Sequence, residues 1–442
     1  MKKSMKALIK MKKLVALALV ICTALAMTAC GEKEAEAPAV SEEGFDPALD
    51  TNTDCSISVV GAYDNFEALE AEFDRFNKIY PNVKLSYMKL DDYNNILATT
   101  LEGKDKPNIF FSYTWMMGNE IYDSVVSHME KLSDPSLGLN LDFIRPGLIN
   151  HDDSGAVMMV PVFSRSYGML VNDDLFKKEG LSVPTTWTEL LDVCKAFKSK
   201  GYDSPMMGYS LDASSSFMNT LAYPRFVVTL SENPKALELA NKLDPAAGEY
   251  MRPALETVES VIQNGCIDIK ECDKISDNYT EVILRFFEGD VPMMICAGDT
   301  VSGTKKRESQ SEAFTKSPFS YTFAPIPTTD EGGYFIDSPS VEFSVNKDCD
   351  NLDMTNEFMR FLITENELNE MASVKRLITP TANMSFDSVY APFGNVPSER
   401  TLSPEALGIT DPLTVQIRGA AFQVGKGEKT VDDVVKLYGT YE

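Results

Sequence analysis

With 442 residues, 44% hydrophobic and 24% charged, the chain is long enough to build two ordinary domains with cores of their own. A formal net charge of −25 argues against a nucleic-acid partner and against docking on anionic lipid headgroups. Two histidines and no CxxC pair give no basis for a zinc site, and no cofactor is implied.

The first stretch reads as a leader rather than as fold. Residues 1–13 carry six lysines and no acid, and residues 14–27 (LVALALVICTALAM) are mostly apolar but short for a membrane span. The following Met27, Thr28, Ala29 and Cys30 resemble a lipoprotein signal box, with Met27 where such boxes usually carry Leu, Val or Ile. That likeness implies removal of residues 1–29 and lipidation of Cys30; two or more acyl chains on one cysteine anchor stably, whereas one does not. Residues 30–54, rich in Glu, Ala, Pro and Asp, read as a flexible acidic tether. Of the later cysteines, Cys194 and Cys296 sit inside apolar patterns and read as small core residues. Cys266 and Cys272 flank a short polar segment; pairing in an oxidising compartment and chance spacing both remain open.

Residues 56–61 read as a buried strand, followed by Phe66, Leu69, Phe73, Phe76 and Ile79 at helical spacing until Pro81. A second strand over 83–88 leads to a helix lined by Tyr93, Ile96, Leu97 and Leu101 and closed by Gly103, and 107–111 open a third strand. Strand, helix, strand, helix, strand at this spacing is a doubly wound parallel unit. Such sheets bind ligands beyond the carboxyl ends of their strands. The residues there are Tyr63, Asp64 and Asn65, then Asp92 and Tyr93, then Tyr113 and Trp115.

An apolar run over 157–163 meets the polar Ser164, Arg165, Ser166 and Tyr167 before a second apolar run over 169–171. With no turn dipeptide between them, the two runs read as one extended segment passing from one sheet to another. Thr186 and Glu189 form a capping box that opens a helix, with Trp187 as a packing residue. Trp187, Leu190, Leu191, Cys194 and Phe197 form one face of that helix. Beyond it come a strand over 205–210, a helix with Leu255, Val258, Val261 and Ile262 on one face and ended by Gly265, and a buried strand over 291–296. A helix containing Phe358, Phe361 and Leu362 and two C-terminal helical patterns, over 413–424 and 431–437, complete the chain.

Several of these stretches resemble the extracellular solute-binding proteins, family 1, which serve bacterial ABC importers. The likeness rests on MVPVFSRSYGMLVNDDLFKKEGL followed by PTTWTEL, on FDRFNKIYPNVKL, LEGKDKPNIFF, FFEGDVPMMICAGDT, SYTFAPIP and ASVKRLITP, and it spans roughly residues 55–440. It implies an α/β fold of two doubly wound lobes joined by hinge strands, the type II periplasmic-binding-protein arrangement. The first lobe is expected over 55–164 and 328–363, the second over 165–327 and 364–442. Hinges are expected at 164–167 and near 324–328.

The resemblance makes Ser164, Arg165 and Tyr167 hinge and cleft residues, places Asp299 and Thr300 at a strand end on the cleft, and brings Arg376 to the site in a late loop. Aromatic faces cover the apolar surface of a sugar ring while carboxylates, amides and Arg bond its hydroxyls. Tyr63, Tyr93, Tyr113, Trp115, Tyr167 and Phe217 are the aromatic candidates, beside Asp64, Asn65, Asp92, Arg165, Asp212 and Asp299. Sugar binders of the family often carry Trp where this chain has Asp299 and Thr300. Arg165 is open to two roles, gripping a ligand carboxylate or phosphate and bonding a neighbouring Asp to fix the hinge.

The implied function is that of a non-enzymatic receptor, lipid-anchored on the extracytoplasmic face of the cell membrane and monomeric. It delivers a small polar solute, a sugar or oligosaccharide, to the permease subunits of an ABC importer. Two other classes are a solute sensor accessory without transport and a secreted polysaccharide hydrolase. The latter needs two facing carboxylates, with Asp64, Asp299 and Glu342 available.

Overall fold

The computed structural model describes residues 44–384 and 386–441. The leader, Cys30 and most of the tether lie outside the described residues. The chain divides into a leading unit, Met1–Asp46, described only over 44–46, and a body, Pro47–Glu442.

The strands of the body are β1 (Cys55–Gly61), β2 (Val83–Lys89), β3 (Ile109–Ser112), β4 (Val160–Arg165), β5 (Tyr167–Asn172), β6 (Met206–Gly208), β7 (Met293–Ala297), β8 (Tyr321–Pro325), β9 (Phe335–Ile336), β10 (Ser338–Val345) and β11 (Thr401–Leu402). One sheet has the order β2-β1-β3-β10-β4, with β1 parallel to both β2 and β3, and β10 antiparallel to β3 and β4. A second has the order β6-β7-β5-β8, with β6 parallel to β7, and β5 antiparallel to β7 and β8. Both sheets are therefore mixed. The parallel unit expected from the first three strands is present, and a strand from far down the chain completes the sheet.

Each sheet is the centre of a lobe. In the first, Phe66 is fully buried and presents ring contacts to Tyr63, Phe111, Phe163 and Phe343 at centroid separations of 5.3, 5.7, 6.0 and 6.2 Å. The Glu67–Phe76 helix ends three residues before the expected Ile79, because Asn77 Nδ2 donates to the carbonyls of Tyr80 (3.1 Å) and Val83 (2.8 Å) and turns the chain towards β2. In the second lobe the Trp187–Ser199 helix begins with the expected capping box, and Trp187 packs against the core. That core gathers Met169, Leu170, Leu221, Phe226, Val258, Phe286, Met294 and Ile417. The Asp411–Gly425 helix packs on the Phe217–Ser231 and Arg252–Gln263 helices.

Three chain segments pass between the lobes. β4 ends in the first sheet at Arg165 and β5 begins in the second at Tyr167, so Ser166 is the link. The return is later than expected: β8 stays paired with β5 through Pro325, and residues 326–334 stay with the second lobe. Trp187 donates to the Thr329 carbonyl at 3.0 Å, and Thr188 N donates to Asp330 Oδ1 at 2.8 Å. The chain re-enters the first sheet at Ser338, paired with Arg165. A third passage follows the Glu365–Lys375 helix. That helix packs on the Glu67–Phe76 helix and β4 of the first lobe, although the expected division assigned it to the second. Arg75 Nε meets Glu367 Oε2 there at 2.6 Å.

Candidate functional site: the cleft between the lobes

The carboxyl ends of the central strands bring side chains of both lobes together. β3 ends at Ser112, and Tyr113 and Trp115 follow in a single tight turn, their rings stacked at 5.4 Å and 9°. Tyr122 sets its ring edge-on to Trp115 at 4.9 Å. Both Tyr113 and Trp115 stay partly exposed. Tyr63, just after β1, is held edge-on to Phe111 at 5.2 Å, with Lys375 Nζ 4.7 Å from its ring centroid.

Asp299 stands in the turn after β7, and it is the meeting point of the lobes. Its Oδ2 accepts from Arg165 Nη1 at 2.8 Å, and its Oδ1 accepts from Ser340 Oγ on β10 of the first sheet. The hinge role left open for Arg165 is thus visible, yet the guanidinium is not saturated: Arg165 Nε is buried and has no hydrogen-bond partner among the described residues. Burial works against its charge, but the Asp299 carboxylate more than offsets that and raises its pKa. Burial, then the Asp299 charge, holds the Tyr63 phenol well above its ordinary value and pushes Tyr113 up to about 12. All three groups therefore keep their protons at neutral pH and can donate hydrogen bonds.

Tyr167 is tilted against Tyr223 at 5.2 Å, and burial raises the pKa of both phenols. Gly298 N donates to the Ser166 carbonyl at 2.7 Å, and a Cβ at Gly298 would sit 3.1 Å from the Ser166 backbone nitrogen and oxygen. Thr300 is buried beside it in the same turn.

Other expected residues have different occupations. Ser164 is fully buried and its hydroxyl accepts from Arg145 Nη2 at 2.7 Å. Asp64 is exposed and paired with Lys89 Nζ at 2.7 Å, and Asn65 Nδ2 donates to Glu67 at 3.1 Å. Asp92 takes a left-handed backbone (φ 57°) at the start of the Tyr93–Glu102 helix and accepts from Asn95 Nδ2 at 2.7 Å. Tyr93 is buried, with its hydroxyl donated to the Phe111 carbonyl at 2.6 Å, and Phe217 is 1% exposed in the second core. Arg376 spends Nη1 on Thr304 Oγ1 (3.0 Å), Glu308 Oε1 (2.7 Å) and the Tyr321 hydroxyl (2.8 Å). Through Nη1 it fastens the end of a first-lobe helix to the second lobe, while its Nε lies 3.5 Å from Asp387 Oδ2 and makes no hydrogen bond among the described residues. The reason is common to these last three: their side chains find partners within the fold that pattern reasoning cannot see.

Sequence reasoning passes over Glu405, Tyr223 and Arg145, and it names Glu342 only as a hydrolase candidate. Glu342, on β10, is 1% exposed, with Thr114 Oγ1 donating at 3.1 Å and Asn150 Nδ2 at 3.4 Å. Burial pushes its carboxyl up to about 8, and burial likewise pushes Glu405 up to about 7. The one available signal for Glu342 is a charged residue inside an otherwise apolar strand; Glu405, in an irregular stretch, has none. Arg145 joins all three passages. Its Nε and Nη2 reach the Asp337 carboxylate at 2.6 and 2.8 Å, and Nη2 also reaches Ser164 Oγ. Its Nη1 donates to the carbonyls of Thr379 and Thr381, both at 2.7 Å.

Two mixed sheets in separate lobes, three passages between them and a polar, aromatic-lined meeting of strand ends define a type II periplasmic-binding-protein fold. The family model described as bacterial extracellular solute-binding protein matches residues 63–367, and the chain belongs to that family. Among solved structures, RafE in complex with raffinose is similar at 18% identity and TM-score 0.65, over 87% of this chain and 98% of that one. A Bacillus licheniformis sugar transporter in complex with stachyose aligns at 18% identity and TM-score 0.61, covering 87% and 99%. The sugar-binding protein MalE from Xanthomonas citri aligns at 18% identity and TM-score 0.64, covering 87% and 95%. No curated protein matches the chain.

Proposed function

We propose that this chain is the solute receptor of an ABC importer, that its ligand is an oligosaccharide bound between the lobes, and that Cys30 carries the lipid that anchors it outside the cell. Tyr63, Tyr113, Trp115, Arg165, Tyr167, Asp299 and Thr300 are the residues assigned to ligand or to the cleft around it. Raffinose, stachyose and related sugars are the ligands or namesakes of the similar structures, which is why sugars head the list of solutes to test. The observation that carries the reading is the flat Tyr113–Trp115 stack, with Tyr113 near enough to Arg165 to feel its charge, together with the buried Arg165 Nε, which has no hydrogen-bond partner among the described residues. A stacked aromatic surface takes the apolar face of a pyranose ring, and a buried donor without a partner takes a hydroxyl or ring oxygen.

Binding to the closed form alone raises the unfolding temperature as ligand concentration passes the dissociation constant. A thermal-shift panel of raffinose-type and malto-type oligosaccharides, amino acids, polyols and sugar phosphates should therefore show shifts confined to sugars. Shifts confined to another class would sink the sugar reading and leave the receptor reading standing. Chromatography of the sugars after incubation separates receptor from hydrolase, because Glu342 and Glu405 are two carboxyls poised to hold protons near neutrality; released monosaccharides would favour the hydrolase.

A further inference from the structure

Arg418 belongs to the Asp411–Gly425 helix and flanks its buried face of Leu413, Gln416, Ile417, Ala420, Ala421 and Val424. It stands two turns before Gly425, on the same stripe of that helix. Gly425 is pressed against Met218 of the Phe217–Ser231 helix, where an added Cβ would collide with Met218 Cγ. The stripe therefore looks towards the helix that carries Tyr223, and Tyr223 meets Tyr167 of the cleft with ring centroids 5.2 Å apart. Both phenols lie near enough to Arg418 and to Arg165 to feel the two charges. Arg418 Nε is buried without a hydrogen-bond partner among the described residues, and none of the described carboxylates forms an ion pair with this side chain. Arg165 has the same orphan Nε, but Asp299 meets its charge at 2.8 Å. Glu405 also acts on both phenols; burial pushes it up to about 7, and its Oε2 accepts from Ser403 Oγ at 3.3 Å. Of the two guanidiniums beside the Tyr167–Tyr223 pair, only that of Arg165 is matched by an ion pair.

We propose that Arg418 is a ligand-binding residue of the cleft and that it grips the carboxylate of an acidic oligosaccharide, one containing a uronic acid unit. The inference rests on the reading of the cleft as a sugar site and narrows the class of sugar. A buried donor without a partner costs free energy that a bound acceptor restores. A carboxylate offers two oxygens in the plane of the guanidinium fork. One unmatched positive charge balances one carboxylate, whereas a phosphate monoester carries roughly −1.5 to −2 at pH 7. Burial keeps the Tyr167 and Tyr223 phenols protonated, so they can donate to oxygens next to the acid group. A neutral sugar lacks the group that the guanidinium fits, and such an omission is rejected more strongly than a small change of size.

The test is isothermal titration of the full chain with uronate trisaccharides of the galacturonate, glucuronate and mannuronate series, each beside its methyl ester. The ester keeps the ring shape and loses the charge. At least one acid should bind roughly ten-fold or more tighter than its ester. In Arg418→Gln that preference should shrink to about two-fold, and Arg418→Lys, which keeps the charge without the fork, should fall between. The comparison of acid with ester in the parent chain needs no variant, so it decides the matter even where Arg418→Gln fails to fold. Equal affinities for acid and ester, or a preference undiminished in Arg418→Gln, would overturn the assignment and leave the sugar-receptor reading in place. Binding of neutral oligosaccharides by a chain that takes no uronate would do the same, and binding of no sugar of either kind would sink both readings.

Discussion

Trp115 is placed to do more than fill space. Its ring is held between Tyr113 and Tyr122 and stays partly exposed. Trp115→Ala should weaken binding of the ligand that the thermal-shift panel identifies by roughly ten-fold or more, read by titration calorimetry, with little change in the unfolding temperature of the free protein. Equal affinity would remove the stack from the site. Glu342 invites a different measurement. Its pKa of about 8 lies above the ordinary carboxylate value of 4.5, so the folded state holds a proton that the unfolded state has lost between those two pH values. Its contribution is therefore fully present at low pH and is lost as pH rises from about 4.5 through about 8. Glu342→Gln, which keeps the shape without the charge, should flatten the fall in unfolding temperature between pH 5 and pH 9 relative to the parent chain. An identical pH profile would show that Glu342 ionises as freely folded as unfolded.

Among the elements, the segments that alternate cleanly were legible and those fixed by distant partners were not. Apolar runs broken by Ser164, Arg165, Ser166 and Tyr167 do become the end of β4, a link and the start of β5, and the capping box at Thr186 opens its helix. The same patterns placed the return passage too early, since SYTFAPIP reads as a crossing strand whether or not residues 326–334 loop back onto the Trp187–Ser199 helix. They also placed the third passage one helix too early, at 363–364, because the partners of the Glu365–Lys375 helix lie far away in sequence. Most of all they missed Arg145, whose five donated bonds to Asp337, Ser164, Thr379 and Thr381 depend wholly on where the passages lie. Arg145 and Asp337 side chains are 12% and 4% exposed. Removing one partner strands a buried charge, so Arg145→Ala should lower the unfolding free energy in urea by about 3–5 kcal/mol. A loss below about 1 kcal/mol would mean that the passages hold their places without it.

At the scale of the molecule, the lobes already touch through Arg165, Asp299 and Ser340, and through Arg376 with Glu308 and Tyr321. Ligand can shift such a pair of lobes only by gripping one arrangement better than the other. Small-angle scattering of the parent chain with and without its sugar should show a smaller radius of gyration on binding if an open form is populated in its absence. An unchanged radius together with tight binding would mean that the free protein already rests closed.

Gly298 has a further consequence. It stands where β7 stops against the Ser166 link, with its missing side chain the reason two backbones can lie so near. A single methyl there would act as a shim at the pivot, 3.7 Å from the Arg165 Cα, able to tilt one half of the molecule against the other. A Gly298→Ala chain should therefore release its ligand faster, an outcome stopped-flow dissociation would register; an unchanged off-rate would mean that the pivot absorbs the extra carbon.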